Sequence, residues 1–182
     1  MLAPPQAMAK NAPMDLRSAT TDDLALLRRW GEQPHVIEAA PNDHWNWEEE
    51  LQLRVDWREL LIAEEDGRPV GFLQIIDPAR EETRYWGECP PGLRAIDVWI
   101  GDAADLGRGY GTRMMERAFE RCFAAPEVRA ILIDPLASNL RARRFYERLG
   151  FELVEERDFG ADRCAVYRLD RSRWGARRAG HR

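Results

Sequence analysis

A glycine-rich stretch is the part of the sequence whose residue types and spacing best suit phosphate binding. It reads Leu106-Gly107-Arg108-Gly109-Tyr110-Gly111-Thr112 and lies between a predicted strand and a predicted helix. Glycines at alternate positions let a ligand approach the backbone, and a helix N-terminus offers unpaired N–H groups and the positive end of its dipole. The stretch predicts a pyrophosphate site. It matches neither the P-loop nor the dinucleotide fingerprint, so a plain tight turn is the alternative.

One acidic side chain interrupts the apolar strand predicted over residues 94–100. Ile96, Val98 and Ile100 share one face of this strand, and Asp97 lies on the opposite face. A carboxylate in apolar surroundings can take up a proton near neutral pH if burial raises its pKa above the usual value of about 3.9. The alternative is a structural acid paired with an arginine such as Arg94.

The hydrophobic pattern predicts the elements that position these residues. Strands are predicted at residues 14–19, 60–65, 69–76, 94–100, 128–133, 151–156 and 163–169. Helices are predicted after residue 20, from about residue 46, after the glycine-rich stretch and over residues 139–149, whereas residues 34–43 and 77–93 are predicted to be irregular. Asp66-Gly67 predicts a hairpin turn. This order predicts a single α/β domain with a mixed central sheet flanked by helices.

Length and composition predict one globular domain. A chain of 182 residues with a 45% apolar share can bury a sizeable core. We expect the domain to span residues 14–170, between a flexible N-terminal tail at residues 1–13 and a basic, solvated C-terminal tail at residues 171–182. The sequence shows neither a membrane-spanning run nor a secretory signal, so we expect a cytoplasmic location and no membrane partner.

The distribution of charge and the few cysteines argue against several other classes. Outside residues 171–182 the chain has 22 basic and 32 acidic residues, a net charge of −10. This balance disfavours non-specific nucleic-acid binding and would attract a cationic ligand, while on charge alone the alternative that the acidity only serves solubility is equally open. Cys89, Cys122 and Cys164 form no C-x-x-C pair and the three histidines are scattered, so we predict neither a disulfide framework nor a metal site.

Two segments of the sequence carry a family resemblance. The first is the glycine-rich stretch after a strand, and the second is residues 139–151, which read Asn-Leu-Arg-Ala-Arg-Arg-Phe-Tyr-Glu-Arg-Leu-Gly-Phe. In this order and separation they resemble the GNAT superfamily of N-acetyltransferases. Through residues 95–97, 106–112, 134–142 and 145–147 the chain further resembles the aminoglycoside 6'-N-acetyltransferases. Leu106 stands where the superfamily usually has Arg or Gln, and the likeness thins over residues 39–47.

The resemblance implies acetyl-coenzyme A as the cofactor and direct transfer of its acetyl group to an amine. It implies that Asp97 orients the amine and accepts its proton, and that Tyr146 protonates the departing thiolate. By spacing alone, a tyrosine at position 146 is more often a core aromatic beside Phe145, so the catalytic role comes from the resemblance. The expected cofactor-binding residues are Val98, Trp99, Ile100, Gly107, Arg108, Gly109, Tyr110, Gly111, Thr112, Asn139 and Arg144.

The expected substrate-binding residues combine acids with tryptophans. Asp134 follows a predicted inner strand, where α/β sheets place ligand groups, and the resemblance makes it a contact for the substrate amine. Its alternative role is to form the turn before Pro135. The other acids and the tryptophans of the set would form the rim of an acidic cleft for a polycation. In the alternative, the acids belong to a solvated loop and the tryptophans to the core. The full expected set is Asp97, Asp134, Glu81, Glu82, Trp86 and Trp47.

The leading hypothesis is therefore acetyl transfer to a primary amine of a cationic small molecule, an aminoglycoside 6'-amine above all. Because residues 39–47 depart from that group, acylation of a siderophore hydroxylysine, a polyamine or a protein N-terminus is the second hypothesis. A non-catalytic coenzyme A-binding module is the third. The protein is expected to be a monomer or a homodimer.

Overall fold

A seven-stranded mixed sheet forms the centre of the computed structural model, which describes residues 14–180. The strand order is β1-β2-β3-β4-β5-β7-β6, in which β4 and β5 run parallel and all other neighbours run antiparallel. The mixed α/β architecture is thus confirmed, and the predicted tail at residues 1–13 lies outside the described residues. The strands are β1 (Met14–Ser18), β2 (Arg58–Glu65), β3 (Arg68–Ile76), β4 (Leu93–Ile100), β5 (Ala130–Ile133), β6 (Glu152–Phe159) and β7 (Asp162–Asp170).

Helices flank the sheet on both faces. None of those within residues 14–180 is long and apolar enough to cross a membrane. Short 3-10 turns at Thr21–Asp23 and Ala103–Asp105 precede two of the longer helical segments. The helices are α1 (Leu24–Gly31), α2 (Pro34–Ala39), α3 (Trp47–Glu50), α4 (Tyr110–Ala124), α5 (Leu140–Arg148) and α6 (Arg171–Ala179).

The predicted hairpin is confirmed as β2 and β3, which pair over their whole lengths. Asp66 and Gly67 join the strands with φ angles of 51° and 74°. Two consecutive positive φ values match the right-handed twist of the flanking strands, and Asp and Gly are among the residues that adopt them readily.

The two faces of the sheet bury different cores. Met114, Met115 and Phe119 on α4 recur at helical spacing and lie in the larger core with apolar residues of β3, β4, β5 and β7. On the other side, Trp30 of α1 and Trp47 of α3 pack with aromatic and aliphatic residues of β2 and β3. The sheet is therefore covered on both sides, which fixes the strands that carry the site.

Two segments differ from the predicted secondary structure. Residues 34–43 were expected to be irregular, but Pro34 occupies the first turn of α2, where its fixed φ angle suits a helix. The helix expected from about residue 46 is confined to the four residues of α3, and Val55 lies in the loop that follows it rather than on an apolar helical stripe.

The expected solvated tail at residues 171–182 is instead the helix α6 as far as Ala179. The guanidinium of Arg171 donates to the carbonyl oxygens of Phe123, Ala125 and Val128 at 2.9, 2.5 and 2.7 Å. Farther along α6, Arg177 donates to the Arg148 carbonyl oxygen at 2.8 Å. The helix is held because its cations bind carbonyl oxygens at the C-terminal end of α4, in the turn that follows α4, and at the end of α5.

Candidate active site

Strands β4 and β5 pair only briefly before they separate. Their register covers Leu93 to Ala95 on β4 and ends there, although β4 continues to Ile100. The Gly101 N–H donates to Val70 on β3 at 2.9 Å, so the odd-numbered backbone groups of β4 face β3 and the even-numbered ones face the gap. The strands thus leave an open edge of polar backbone groups in the middle of the sheet.

Val98 is the residue whose backbone is best placed on this edge. The Ile100 carbonyl also faces the gap, but it accepts a hydrogen bond from His35 Nε2 at 2.9 Å. Trp99 was expected to contribute backbone contacts to a cofactor, and the structure instead pairs it in register with Phe72 of β3, with its side chain against the cavity described below. Of the three residues expected to bind the cofactor through their backbone, only Val98 and the N–H of Ile100 therefore have backbone groups that face the gap without a partner among the described residues.

The glycine-rich stretch leads into α4 beside this edge. Gly107 and Gly109 have φ angles of 74° and 83°, which side-chain-bearing residues rarely adopt. An added Cβ atom would meet nothing within 4 Å at either position, so the backbone lies open to an approaching group. The first N–H groups of α4 have no partner within the helix and point in the same direction. The loop therefore has the open backbone that the predicted pyrophosphate site requires, and the binding of a phosphate there stays a prediction.

A cavity of about 480 Å³ opens beside the same edge of β4. Its lining joins residues of α2, β4, α5 and the loops around them, and it holds four aspartates but, among the described residues that line it, no Lys or Arg. The acids are Asp43, Asp97, Asp134 and Asp162.

Asp97 lies on β4 directly opposite Gln74 of β3, and its Oδ2 accepts a hydrogen bond from the Gln74 amide. Burial raises the pKa of the Asp97 carboxyl, the negative charge of Asp43 raises it further, and the hydrogen bond from Gln74 lowers it. Arg94 pairs with Asp77 at 3.1 Å, so Asp97 is not the structural partner of that arginine.

Asp134 directly follows β5 and accepts a hydrogen bond from the Tyr85 hydroxyl at 2.7 Å. Burial raises the pKa of the Asp134 carboxyl, and the nearby charge of Asp97 raises it as well. Two carboxyls that repel each other in a cavity are stabilised by any cation that enters between them.

Tyr146 on α5 lines the same cavity. Its ring lies against Phe145 and Phe151, with centroid separations of 5.1 and 5.9 Å. Burial and the charges of Asp97 and Asp134 raise the pKa of its phenol, so the hydroxyl stays protonated at neutral pH. Asn139, which also lines the cavity, caps α5 by accepting a hydrogen bond from the Ala142 N–H at 3.0 Å.

Comparison with known proteins assigns this arrangement to a family. A family model described as an acetyltransferase (GNAT) domain matches residues 19–159. The chain belongs to the GNAT acetyltransferase family. The acetyltransferase is 35% identical over 156 residues to an aminoglycoside N(6')-acetyltransferase type 1 of Klebsiella pneumoniae, covering 78% of this chain and 75% of that protein.

Two further relatives differ in the acceptor that their names state. The lysine N-acyltransferase MbtK of Mycobacterium tuberculosis is 28% identical over 174 residues, covering 93% of this chain and 83% of that protein. The crystal structure of aminoglycoside acetyltransferase AAC(6')-Ib in complex with coenzyme A and kanamycin superposes with a TM-score of 0.82 at 31% identity, covering 91% of this chain and 99% of that one.

The acetyl donor of the acetyltransferase is acetyl-coenzyme A, as the resemblance implied. The residues present suit it, because the open amides at Gly107 and Gly109 accommodate a pyrophosphate and the free edge at Val98 can pair with the amides of pantetheine. Arg108 is exposed just before α4, and Arg144 is exposed in the middle of α5. The remaining expected residues Tyr110, Gly111 and Thr112 form the first turn of α4.

Four of the expected substrate-binding residues of the acetyltransferase do not line the cavity. Trp47 is 4% exposed behind Trp45, which stacks on it at 4.5 Å and is itself part of the lining. Trp86 is buried against Phe159. In the structure both tryptophans are therefore core residues and do not rim the cleft that was predicted from the sequence.

The two glutamates of that set are held elsewhere by the loop between β3 and β4. The Glu81 carboxylate accepts hydrogen bonds from the N–H groups of Thr83 and Tyr85 at 2.7 and 2.8 Å, and so organises its own turn. Glu82 lines a separate shallow depression beside Trp57. The loop contributes Tyr85 to the acetyltransferase cavity instead of its acids.

Sequence reasoning missed two of the four cavity acids. Asp43 lies in the loop after α2, within the segment where the family likeness thins, and Asp162 begins β7 after a tight turn at Gly160. Asn42 donates to Asp162 at 2.7 Å and joins the two loops. Neither acid belongs to a periodic hydrophobic pattern, so no local signal in the sequence pointed to its place in the cavity.

Proposed function

We propose that this acetyltransferase acetylates a primary amine of a polycationic small molecule, most specifically the 6'-amine of an aminoglycoside. The observation that carries the proposal is the cavity lined by Asp43, Asp97, Asp134 and Asp162 next to the free edge of β4. Four carboxyl groups in a lining whose described residues include one histidine, His44, but no Lys or Arg favour a ligand with several ammonium groups. The similarity to proteins named aminoglycoside N(6')-acetyltransferases supports the same substrate class.

Asp97 is proposed to prepare the amine for reaction. An aliphatic ammonium has a reference pKa of about 10.4, so it must lose a proton before it can act as a nucleophile. The raised pKa of the Asp97 carboxyl makes it a better proton acceptor than an exposed aspartate. Asp97 lies on the strand whose open edge is proposed to hold the donor, which brings amine and thioester together.

Val98 and Tyr146 are proposed to act on the donor side. Acetyl-coenzyme A supplies the acetyl group as a thioester. The Val98 N–H can stabilise negative charge on the carbonyl oxygen, because it faces the gap and has no strand partner within the described residues. Tyr146 holds its phenolic proton at neutral pH and can give it to the sulfur.

The other three acids are proposed to bind the remaining ammonium groups. Asp134 is fixed by Tyr85, and Asp162 is fixed by Asn42, so both carboxylates are oriented before the substrate arrives. Preorganised charges bind more tightly because little side-chain entropy is lost on binding. Asp43 adds a third carboxyl group to the cavity from the loop that follows α2.

A second candidate is acylation of a lysine-type amine. The α2 side of the cavity is apolar, with Val36, Ile37 and Ala39 in the lining, and it can accommodate an aliphatic chain. The similarity to the lysine N-acyltransferase MbtK over 93% of the chain supports this candidate.

A thiol-release assay over a panel of amines tests the proposal. Kanamycin-type aminoglycosides, N6-hydroxylysine, spermidine and a peptide N-terminus would be compared by kcat/KM with acetyl-coenzyme A as donor. We expect the highest value for the aminoglycosides, and we expect product analysis to locate the acetyl group on the 6'-nitrogen. Turnover of hydroxylysine without turnover of any aminoglycoside would replace the first candidate by the second. The cytoplasmic location and the choice between monomer and homodimer remain predictions.

A further inference from the structure

Gln74 is a buried amide whose only described partner is the reactive carboxyl. It lies on β3 opposite Asp97, its side chain is part of a residue only 7% exposed, and its Nε2–H donates to Asp97 Oδ2. The Gln74 Oε1 is also buried, and within residues 14–180 it has no hydrogen-bond partner. A buried polar group destabilises the folded state unless it is hydrogen-bonded. The unpaired Oε1 of Gln74 therefore destabilises the fold, and no structural contact offsets this effect.

The other groups that act on Asp97 come from four separate parts of the fold. Asp43 lies in the loop after α2, Asp134 follows β5, Tyr85 lies in the loop between β3 and β4, and Tyr146 lies on α5. The carboxyls of Asp43 and Asp134 carry or can acquire negative charge and therefore oppose ionisation of Asp97, whereas the phenols of Tyr85 and Tyr146 stay neutral at neutral pH. Gln74 is the group that favours it.

An amide is suited to a carboxyl that gains and loses a proton. A carboxylate accepts hydrogen bonds only, and the Gln74 N–H satisfies it. A protonated carboxyl needs an acceptor, and rotation of the Gln74 amide by half a turn would present Oε1 to the Asp97 O–H. The Gln74 side chain can thus pair with both the ionised and the protonated Asp97 carboxyl, because its unpaired Oε1 is available to accept the Asp97 O–H.

We propose that Gln74 is a positioning residue for acetyl transfer, which orients the Asp97 carboxyl and follows its protonation by rotation of the amide. This inference rests on the proposed role of Asp97 as the proton acceptor. It predicts that Gln74 acts on the amine half of the reaction and leaves the binding of acetyl-coenzyme A unaffected.

The test is the pH dependence of kcat/KM for the amine in the Gln74→Met variant. Methionine keeps the length and the unbranched shape of the side chain but can neither donate as an amide nor accept as one. Loss of a hydrogen bond to the carboxylate should move the acidic limb of the profile upward by about one pH unit. With the pKa of Asp97 raised to about 6 in the parent, the rate should fall about tenfold at pH 5, on the acidic limb, and about twofold at pH 7, with an unchanged KM for acetyl-coenzyme A. The exposed Gln52 provides the matched control Gln52→Met, which should leave the profile in place.

A substrate-free measurement separates this inference from the proposed function. NMR titration of protein carrying ¹³C-labelled aspartate carboxyls, with Asp97→Asn to assign the signal, would give the pKa of Asp97 in the parent and in Gln74→Met. A higher pKa in the variant supports the coupling even if no aminoglycoside is turned over, a result that would count against the proposed function alone. An unchanged Asp97 pKa together with an unchanged rate profile would overturn the role of Gln74.

A purely structural role for Gln74 predicts a different pattern. It would lower the melting temperature and kcat without moving the acidic limb, and that outcome also contradicts the proposal. If Gln74→Met does not fold, as judged by circular dichroism, Gln74→Asn is measured in its place, because the shorter amide stays polar but cannot reach Asp97 in the same geometry.

Discussion

Tyr146 combines two roles that one substitution can separate. Its ring contributes to the packing around Phe145 and Phe151, while its hydroxyl lies in the electrostatic field of Asp97 and Asp134. Phenylalanine would keep the ring and remove only the proton that the mechanism assigns to the sulfur.

We expect Tyr146→Phe to lower kcat for thiol release by about 10²-fold, because general acid catalysis contributes factors of this size. Steady-state kinetics with a free-thiol reagent measures the effect. Tyr167→Phe is the matched control, since it also loses a buried hydroxyl, one that pairs with Arg143 and Glu147, and it should affect stability more than rate. An unchanged kcat in Tyr146→Phe would remove the acid role.

Asp97→Asn should lower kcat/KM for the amine by about 10²-fold or more, because the amide cannot accept the ammonium proton. The acidic limb of the pH–rate profile should disappear, since its ionising group is gone. Isothermal titration calorimetry should give an unchanged affinity for coenzyme A. A variant that keeps the limb and the rate would show that another group accepts the proton.

Asp134→Asn should stabilise the protein at neutral pH. The pKa of the Asp134 carboxyl is raised in the folded state, so above about pH 4 the unfolded chain releases its proton first, and the free energy of unfolding falls as the pH rises towards the folded-state pKa. Removing the group should therefore raise the free energy of unfolding by about 1 kcal/mol or more at pH 7, with little gain at pH 4.

Denaturant unfolding at both pH values measures this difference. The exposed turn residue Asp66 offers the control Asp66→Asn, because asparagine tolerates the positive φ angle there and the same charge is removed. A gain of equal size at pH 4 and pH 7 would contradict the burial argument. If Asp134 binds the substrate amine, Asp134→Asn should both stabilise the fold and weaken amine binding, because the carboxyl then lowers stability but is needed for function.

The sequence identifies site residues where they lie in strongly patterned elements. Asp97 is visible because it interrupts an alternating apolar strand, and Asp134 because it ends a buried run. Asp43 lies in a loop and Asp162 at the very start of β7, and the positions of both depend on tertiary contacts, so no local rule brings them to the cavity. Trp47 shows the opposite error, because an aromatic residue beside a binding site is equally suited to the core behind it.

At the scale of elements, local chemistry predicts the turns and caps well. Asp66-Gly67 forms the expected hairpin turn, Asn139 caps α5, and Gly150 has the positive φ angle of 97° that ends it. The helix α2 escapes prediction because Pro34 suits a helix start as well as a loop. The helix α6 escapes because its one large apolar residue, Trp174, gives no periodic pattern, and its stability comes from contacts with Phe123 and distant carbonyls.

Arg171→Ala should lower the free energy of unfolding by about 2–3 kcal/mol, because a charged donor to three carbonyl oxygens, at the end of α4 and in the turn after it, is lost. Its guanidinium also lies 4.9 Å from the centre of the Phe123 ring, so packing is lost as well. Thermal or urea unfolding measures the effect.

Arg173→Ala in the same helix is the control for that substitution. Arg173 pairs with Glu152 on the surface, with exposed side-chain fractions of 47% and 61%, and surface pairs of this kind contribute about 0–1 kcal/mol. Equal losses in the two variants would show that α6 is held by general helix content and not by the carbonyl contacts of Arg171.

At the scale of the whole molecule, the net charge of −5 and the acidic cavity act together on a cationic substrate. We expect KM for a polycationic amine to rise severalfold between about 0.05 and 0.5 M salt, because screening weakens the attraction as the Debye length shortens. The value of kcat should change little. A monoamine acceptor is the internal control and should show a shallower dependence, so equal slopes for the two substrates would argue against electrostatic capture.

The contacts of α6 also bear on how the protein folds during its synthesis. The ribosome makes Arg171 and Arg177 after every described strand of the sheet and after α4 and α5, the two helices that we propose begin beside the bound coenzyme A. Until then the carbonyl ends of α4 and α5 lack the cations that cap them. A nascent chain arrested before residue 171 should therefore hold these two helices loosely and bind coenzyme A weakly, and release of α6 from the ribosome would be the step that makes the domain competent.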